Sequence, residues 1–144
     1  MRRIVAFVAV LTATVGCGAG QSAPGSPAQT AATDLQITLW QQGREERGAP
    51  KRWTLRCDPN AGTLPKRVSA CAKLEKLARP FAPPRKDLAC TDIYGGPQQA
   101  VIAGRHDGKR IWIALSARNG CEIARWNRLK FLVGGMSAGA GAPS

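Results

Sequence analysis

Period-two alternation opens the ordered part of the chain. Leu35, Ile37 and Leu39 alternate with Gln36 and Thr38, which predicts a strand with one buried face. Residues 41–50 are charged and hold two glycines, a loop composition. Trp53, Leu55 and Cys57 then alternate with Arg52, Thr54 and Arg56 in a second predicted strand, and Asp58-Pro59-Asn60-Ala61-Gly62 reads as a turn. Beyond it the period changes. Leu64, Val68, Cys71, Leu74 and Ala78 follow helical spacing, with Lys66, Lys73 and Lys76 on the other side. Thr63 is the expected cap and Pro65 fits the first turn. Leu77 falls off the stripe, and Arg79-Pro80 ends the helix because proline disfavours helical geometry in the residue before it.

A proline-laden run, Arg79 to Arg85, leads into Ala89-Cys90-Thr91-Asp92-Ile93-Tyr94-Gly95-Gly96-Pro97. Thr91, Ile93 and Tyr94 are strand-favouring types, so this stretch should be extended, and the two glycines mark a turn after it. Residues 99–104 form a third predicted strand, His106-Asp107-Gly108 a hairpin turn, and Ile111, Ile113 and Leu115 a fourth strand. Trp112 and Ala114 make the second face of that strand partly apolar, as suits a face covered by a helix or another subunit. A short helix is expected over 122–128, and Leu129, Phe131 and Val133 suggest a final strand.

The ends of the chain differ from this middle. Residues 1–17 combine Arg2-Arg3, an apolar run and small residues, the pattern of a secretory signal peptide. The apolar run is too short to span a bilayer as a mature helix. Val15-Gly16-Cys17 resembles the end of a bacterial lipobox, which makes Cys17 the expected lipidation site. Residues 18–33 are uncharged and rich in Gly, Ala, Ser, Pro, Gln and Thr, the composition of a flexible tether. Residues 135–144 read as a disordered tail, which leaves one folded domain over 34–134. The expected location is extracellular, tethered to the outer face of the bacterial cell membrane.

Charge narrows the partners. The 144-residue chain carries a net charge of +12, and loss of the leader, which holds two arginines and no acid, leaves +10. Such a surface favours cell-wall polymers, anionic lipid heads or acidic proteins. Specific nucleic-acid binding is not expected, since the chain has no finger spacing, no RNA-binding aromatic-glycine signature and no basic helix beside heptads. Catalysis is not indicated either. There is one histidine, no CxxC, no GxSxG and no phosphate-binding glycine loop, so neither a metal site nor a cofactor is expected. Cys57, Cys71, Cys90 and Cys121 in a small chain with a leader point to disulfides formed in an oxidising compartment, and four cysteines allow three pairings.

Trp53-Thr54-Leu55-Arg56-Cys57-Asp58-Pro59, with Gly62-Thr63-Leu64-Pro65 and Cys71 after it, resembles the first half of the Streptomyces subtilisin inhibitor family. Cys90-Thr91-Asp92-Ile93-Tyr94 is similar to that family's reactive loop, and Gly108-Lys109-Arg110 with Asn119-Gly120-Cys121-Glu122 to its second half. The resemblance covers about residues 35–134. It implies an α+β fold, a five-stranded antiparallel sheet with two helices packed on it, usually dimerised through the sheet. It implies Cys57–Cys71 and Cys90–Cys121 bridges, and substrate-like inhibition of a secreted or cell-surface serine protease. The scissile bond would be Asp92–Ile93, with Ala89, Cys90 and Thr91 before it and Tyr94 after it. Asn119 would hydrogen-bond to the loop from behind. Two features depart from the family pattern. Asp92 stands where a large residue such as Met or Lys is common, and Gly95-Gly96-Pro97 replaces a tighter aspartate-proline continuation. The competing reading is a non-inhibitory basic envelope lipoprotein that uses the same fold as a binding module.

Overall fold

A computed structural model describes residues 33–46 and 48–134. The leader with Cys17, the tail and all of the tether except Thr33 lie outside the described residues. Within them the order is β1 (Thr33–Trp40), β2 (Lys51–Cys57), α1 (Arg67–Lys76), β3 (Gln99–His106), β4 (Lys109–Leu115) and α2 (Gly120–Val133). The four strands form one antiparallel sheet in the order β2-β1-β3-β4.

The alternation seen in the sequence sets the sheet's two faces. Leu35, Ile37 and Leu39 of β1, Leu55 of β2, Ala100 and Ile102 of β3, and Ile113 and Leu115 of β4 are buried. Register holds them together: Ile37 lies between Trp53 and Ile102, and Ile102 faces Ile113. Both helices contribute to the same core, α1 through Ala70, Cys71 and Leu74, α2 through Trp126, Leu129, Leu132 and Val133. A sheet buried on one face needs such a second layer to remove its apolar side from water. The other face is open, with Trp112 of β4 66% exposed. Asp107 and Gly108 both take positive φ in the β3–β4 turn, the backbone that a two-residue hairpin of matching twist requires.

Three expectations change. The fifth strand is absent among the described residues, because Leu129–Val133 is the last part of α2. Leu129, Phe131 and Val133 fit a period of two, yet Trp126, Leu129 and Val133 also fit a helical stripe, and Leu132 is buried beside them. A short apolar run satisfies both templates, and the helix already started at Gly120 continues through it.

The cap of α1 also moves. Thr63 exchanges hydrogen bonds with Thr54 instead, Thr54 N donating to Thr63 Oγ1 at 3.0 Å and Thr63 N to Thr54 Oγ1 at 3.2 Å. The helix begins only at Arg67, after Lys66 in a left-handed conformation with no side-chain cap. Val68, expected on the buried stripe, is 61% exposed, and Ala78 lies past the end of α1 and is exposed. Leu77 is off the stripe because it is the extended residue that ends α1.

The helical end of the chain can be tested at one residue. An outward-facing Leu132 on a strand would tolerate truncation with a change of about 0.5 kcal/mol or less. Buried in α2, Leu132→Ala should cost about 2–5 kcal/mol in urea unfolding.

Candidate functional site

The extended stretch before the glycines lies on the surface between Pro84 and β3. Ala89, Cys90, Thr91, Asp92, Ile93 and Tyr94 are all exposed, Ile93 at 57% and Tyr94 at 67%. The backbone that carries these side chains is held away from the core. Here the holding group is the segment that opens α2.

Cys90 is bonded to Cys121 in the first turn of α2, with Cα atoms 5.3 Å apart. Gly120 N donates to Thr91 O at 2.9 Å, and Gly95 N donates to Ala117 O at 2.7 Å. These main-chain bonds bracket the Asp92–Ile93 peptide on both sides and leave the peptide between them projecting. The approach at Gly120 is close: a Cβ there would lie 2.2 Å from Thr91 Oγ1 and would push that hydroxyl aside. The Asp92 side chain is exposed and has no hydrogen-bond or ion-pair partner among the described residues.

Asn119 takes a different part from the expected one. Its Oδ1 accepts from Glu122 N at 3.0 Å, so it caps α2, with Glu122 in the first turn complementing the helix dipole. Among the described residues its side chain makes no hydrogen bond to the loop. The support comes from its neighbours Gly120 and Ala117, and Asn119 contributes by fixing the helix end that carries them.

The sequence missed the anchor on the other side. Gln98 is buried and donates through Nε2 to Gly95 O at 3.0 Å. Gly96 has φ of +122°, a region that side chains rarely adopt, and a Cβ there would lie 2.4 Å from Gln98 Oε1. Gly95 packs against Ile123 and Ala117 so closely that its Cβ would fall 3.0–3.1 Å from their side chains. Both glycines therefore sit at closely packed positions. The only signal in the sequence was the Gly-Gly pair itself, and nothing marked Gln98 as buried.

On the approach side, Arg85 donates to Asp87 through Nε at 3.1 Å and through Nη2. That bond holds the Asp87 carboxyl below the usual carboxylate range. The second bridge, Cys57–Cys71, lies elsewhere, tying the end of β2 to α1. Both bridges are those the resemblance implies. Among the described residues no three His, Cys, Asp or Glu side chains gather as metal ligands, and no helix is long and apolar enough to cross a membrane.

Residues 31–119 match the family described as Subtilisin inhibitor-like. The chain belongs to that family. Its members are protease inhibitors and not enzymes. In the subtilisin inhibitor-like domain here, the match ends one residue short of α2, whose first turn holds Cys121 and Gly120. Sermetstatin of Streptomyces caespitosus, solved in complex with Bacillus licheniformis subtilisin, is 25% identical to this chain. That alignment covers 67% of this chain and 94% of sermetstatin, with a TM-score of 0.43. Comparison with curated proteins finds no match.

The bridge at the loop closes a segment with a sequence separation of 31. In the chain-entropy model such a closure contributes roughly 3–4 kcal/mol. Replacing both Cys90 and Cys121 by serine should therefore lower stability by about that amount in urea unfolding. Limited proteolysis of the variant should cut first between residues 88 and 95. Unfolding at the wild-type midpoint, with no new cleavage there, would show that the bridge does not restrain the loop.

Proposed function

We propose that this protein inhibits a serine protease by presenting Asp92–Ile93 as a substrate-like scissile bond, with Asp92 entering the protease's primary pocket. Family membership and the outward, two-sided hold on that peptide support the reading. A loop already close to its bound shape avoids most of the ordering cost of association. If the bond is cut, the Cys90–Cys121 bridge and the bonds of Thr91 and Gly95 keep the new ends together. Religation then competes with release, as for any pair of groups held near each other. Ala89, Cys90 and Thr91 would lie along the protease before the cut, and Tyr94 after it.

Asp92 determines which protease. The residue entering the pocket is the central anchor of such an interface. A carboxylate that sheds its water in an apolar pocket without a partner costs several kcal/mol, and an acidic pocket adds repulsion. Wild-type protein should therefore inhibit subtilisin- and trypsin-type proteases weakly or not at all. A protease with a basic or strongly polar primary pocket is the better target. Asp92→Lys should create trypsin inhibition, and Asp92→Met should strengthen subtilisin binding by several kcal/mol. A protease panel that includes enzymes cleaving after acidic residues tests all three. Nanomolar inhibition of subtilisin by wild type would show that Asp92 is not the pocket residue or that its cost is offset.

The same unpartnered Asp92 favours one other reading, a non-inhibitory basic binding module on the cell envelope. It would be left standing if wild type and both variants, correctly folded and bridged, inhibited nothing.

The domain works outside the cell in this proposal, held at the outer membrane face by a lipid on Cys17 and dimerised through the open face of the sheet. Ala103 opposite Trp112 and Val101 opposite Ala114 give that face an apolar strip that a second copy would cover. Fractionation of cells making wild type or Cys17→Ser checks the anchor. Wild type should sediment with membranes and the variant should not; wild type found wholly in the medium would end the idea.

A further inference from the structure

The chain's positive charge is not spread evenly. Ten of its Lys and Arg residues, against two carboxylates, fall within 66–86 and 120–134, which comprise α1, the segment after it and α2. The rest of the chain beyond the leader has nine cations and seven carboxylates. Those two stretches carry +8 of the +10 that remains beyond the leader, of which α1 and α2 themselves carry +4. Lys66, Arg67, Lys73, Lys76, Arg128 and Lys130 are exposed, and none has a carboxylate within ion-pair distance among the described residues. The two helices are neighbours: Arg128 Nη2 donates to Ala78 O at 2.6 Å, and Lys73 lies over the Phe131 ring.

The arrangement serves the helices only in part: Lys73, Lys76 and Lys130 stand in last turns, where cations complement the helix dipole. Lys66 and Arg67 stand at the N-terminal end of α1, whose first turn holds no acid, so they oppose the helix dipole. Like charges crowded on one face also repel across a Debye length of roughly 8 Å. An extended anionic partner turns both costs into attraction.

We propose that the helix layer is a docking surface for the anionic phospholipid headgroups of a bilayer. A membrane fits better than a nucleic acid because neither helix exposes an aromatic side chain on which bases could stack. It also fits the proposed lipid on Cys17. A lipid there would keep weak contacts at high local concentration. That last point rests on the anchor, and the test below removes it. Docking also leaves the loop free. Lys130 is ten residues along α2 from Gly120, roughly 15 Å from the end that holds the loop.

The processed chain carrying Cys17→Ser, with no acyl group, is mixed with phosphatidylcholine vesicles with and without phosphatidylglycerol. Salt-reversible binding to the anionic vesicles alone is expected. Lys76→Gln with Lys130→Gln should weaken it roughly thirtyfold, at roughly fivefold per charge. Lys51→Gln with Arg52→Gln, on the β2 side of the sheet, should leave it nearly unchanged. Equal binding to both vesicle types overturns the proposal, as does equal weakening by the two pairs. Binding to soluble polyphosphate with none to vesicles also overturns it, and would assign the surface to a polymer.

Discussion

The opening turn of α2 is the constraint on which the rest of the molecule depends. Three things meet there: the Asn119 cap that starts the helix, the Cys121 bridge to Cys90, and the Gly120 N–H that holds Thr91. The same helix runs on to bury Trp126, Leu129, Leu132 and Val133 against the sheet. Core packing and loop geometry are therefore joined through one rigid element. A side chain that loosened α2 in the core would be felt at the exposed peptide.

The loop is held by different means at its two ends. Before Asp92 the restraint is covalent and helical, through Cys121 and Gly120. After Ile93 it is a packed one, in which two glycines fit against Ile123, Ala117 and a buried glutamine. Glycine is normally the residue that lends a chain freedom, but here its missing side chain lets the backbone approach closely enough to be fixed. Gly95 and Gly96 are thus closely packed positions of the loop.

Much of this was legible from residue order. Period-two alternation located β1, β2 and β4, because one face of each is buried and the other is not. The cysteine register and the Cys-Thr-x-Ile-Tyr motif pointed to the loop and, through the resemblance, to both bridges. The failures have physical causes. Thr63 looks like a cap, but its hydroxyl is used by Thr54 across a turn, a contact that local pattern cannot show. Residues 129–133 satisfy two periods at once, and only the continuity of α2 decides between them. Asn119 is expected to bond to the loop, yet its hydrogen bond goes to the helix end. Gln98 left no trace, since a buried amide beneath a turn has the same letter as an exposed one.

The direction of the loop's contacts has a consequence for how the protein is made. The bridge and the main-chain bonds of the Cys90–Gly95 segment run to residues later in the chain, at Ala117, Gly120 and Cys121. A chain that leaves the ribosome or crosses a membrane from its N-terminus presents the segment before anything exists to hold it. Until residue 121 has followed and an oxidant has joined the two sulfurs, the stretch lacks both its bridge and its bond from Gly120. The order of synthesis and the redox state of the compartment together set the moment at which this peptide is held.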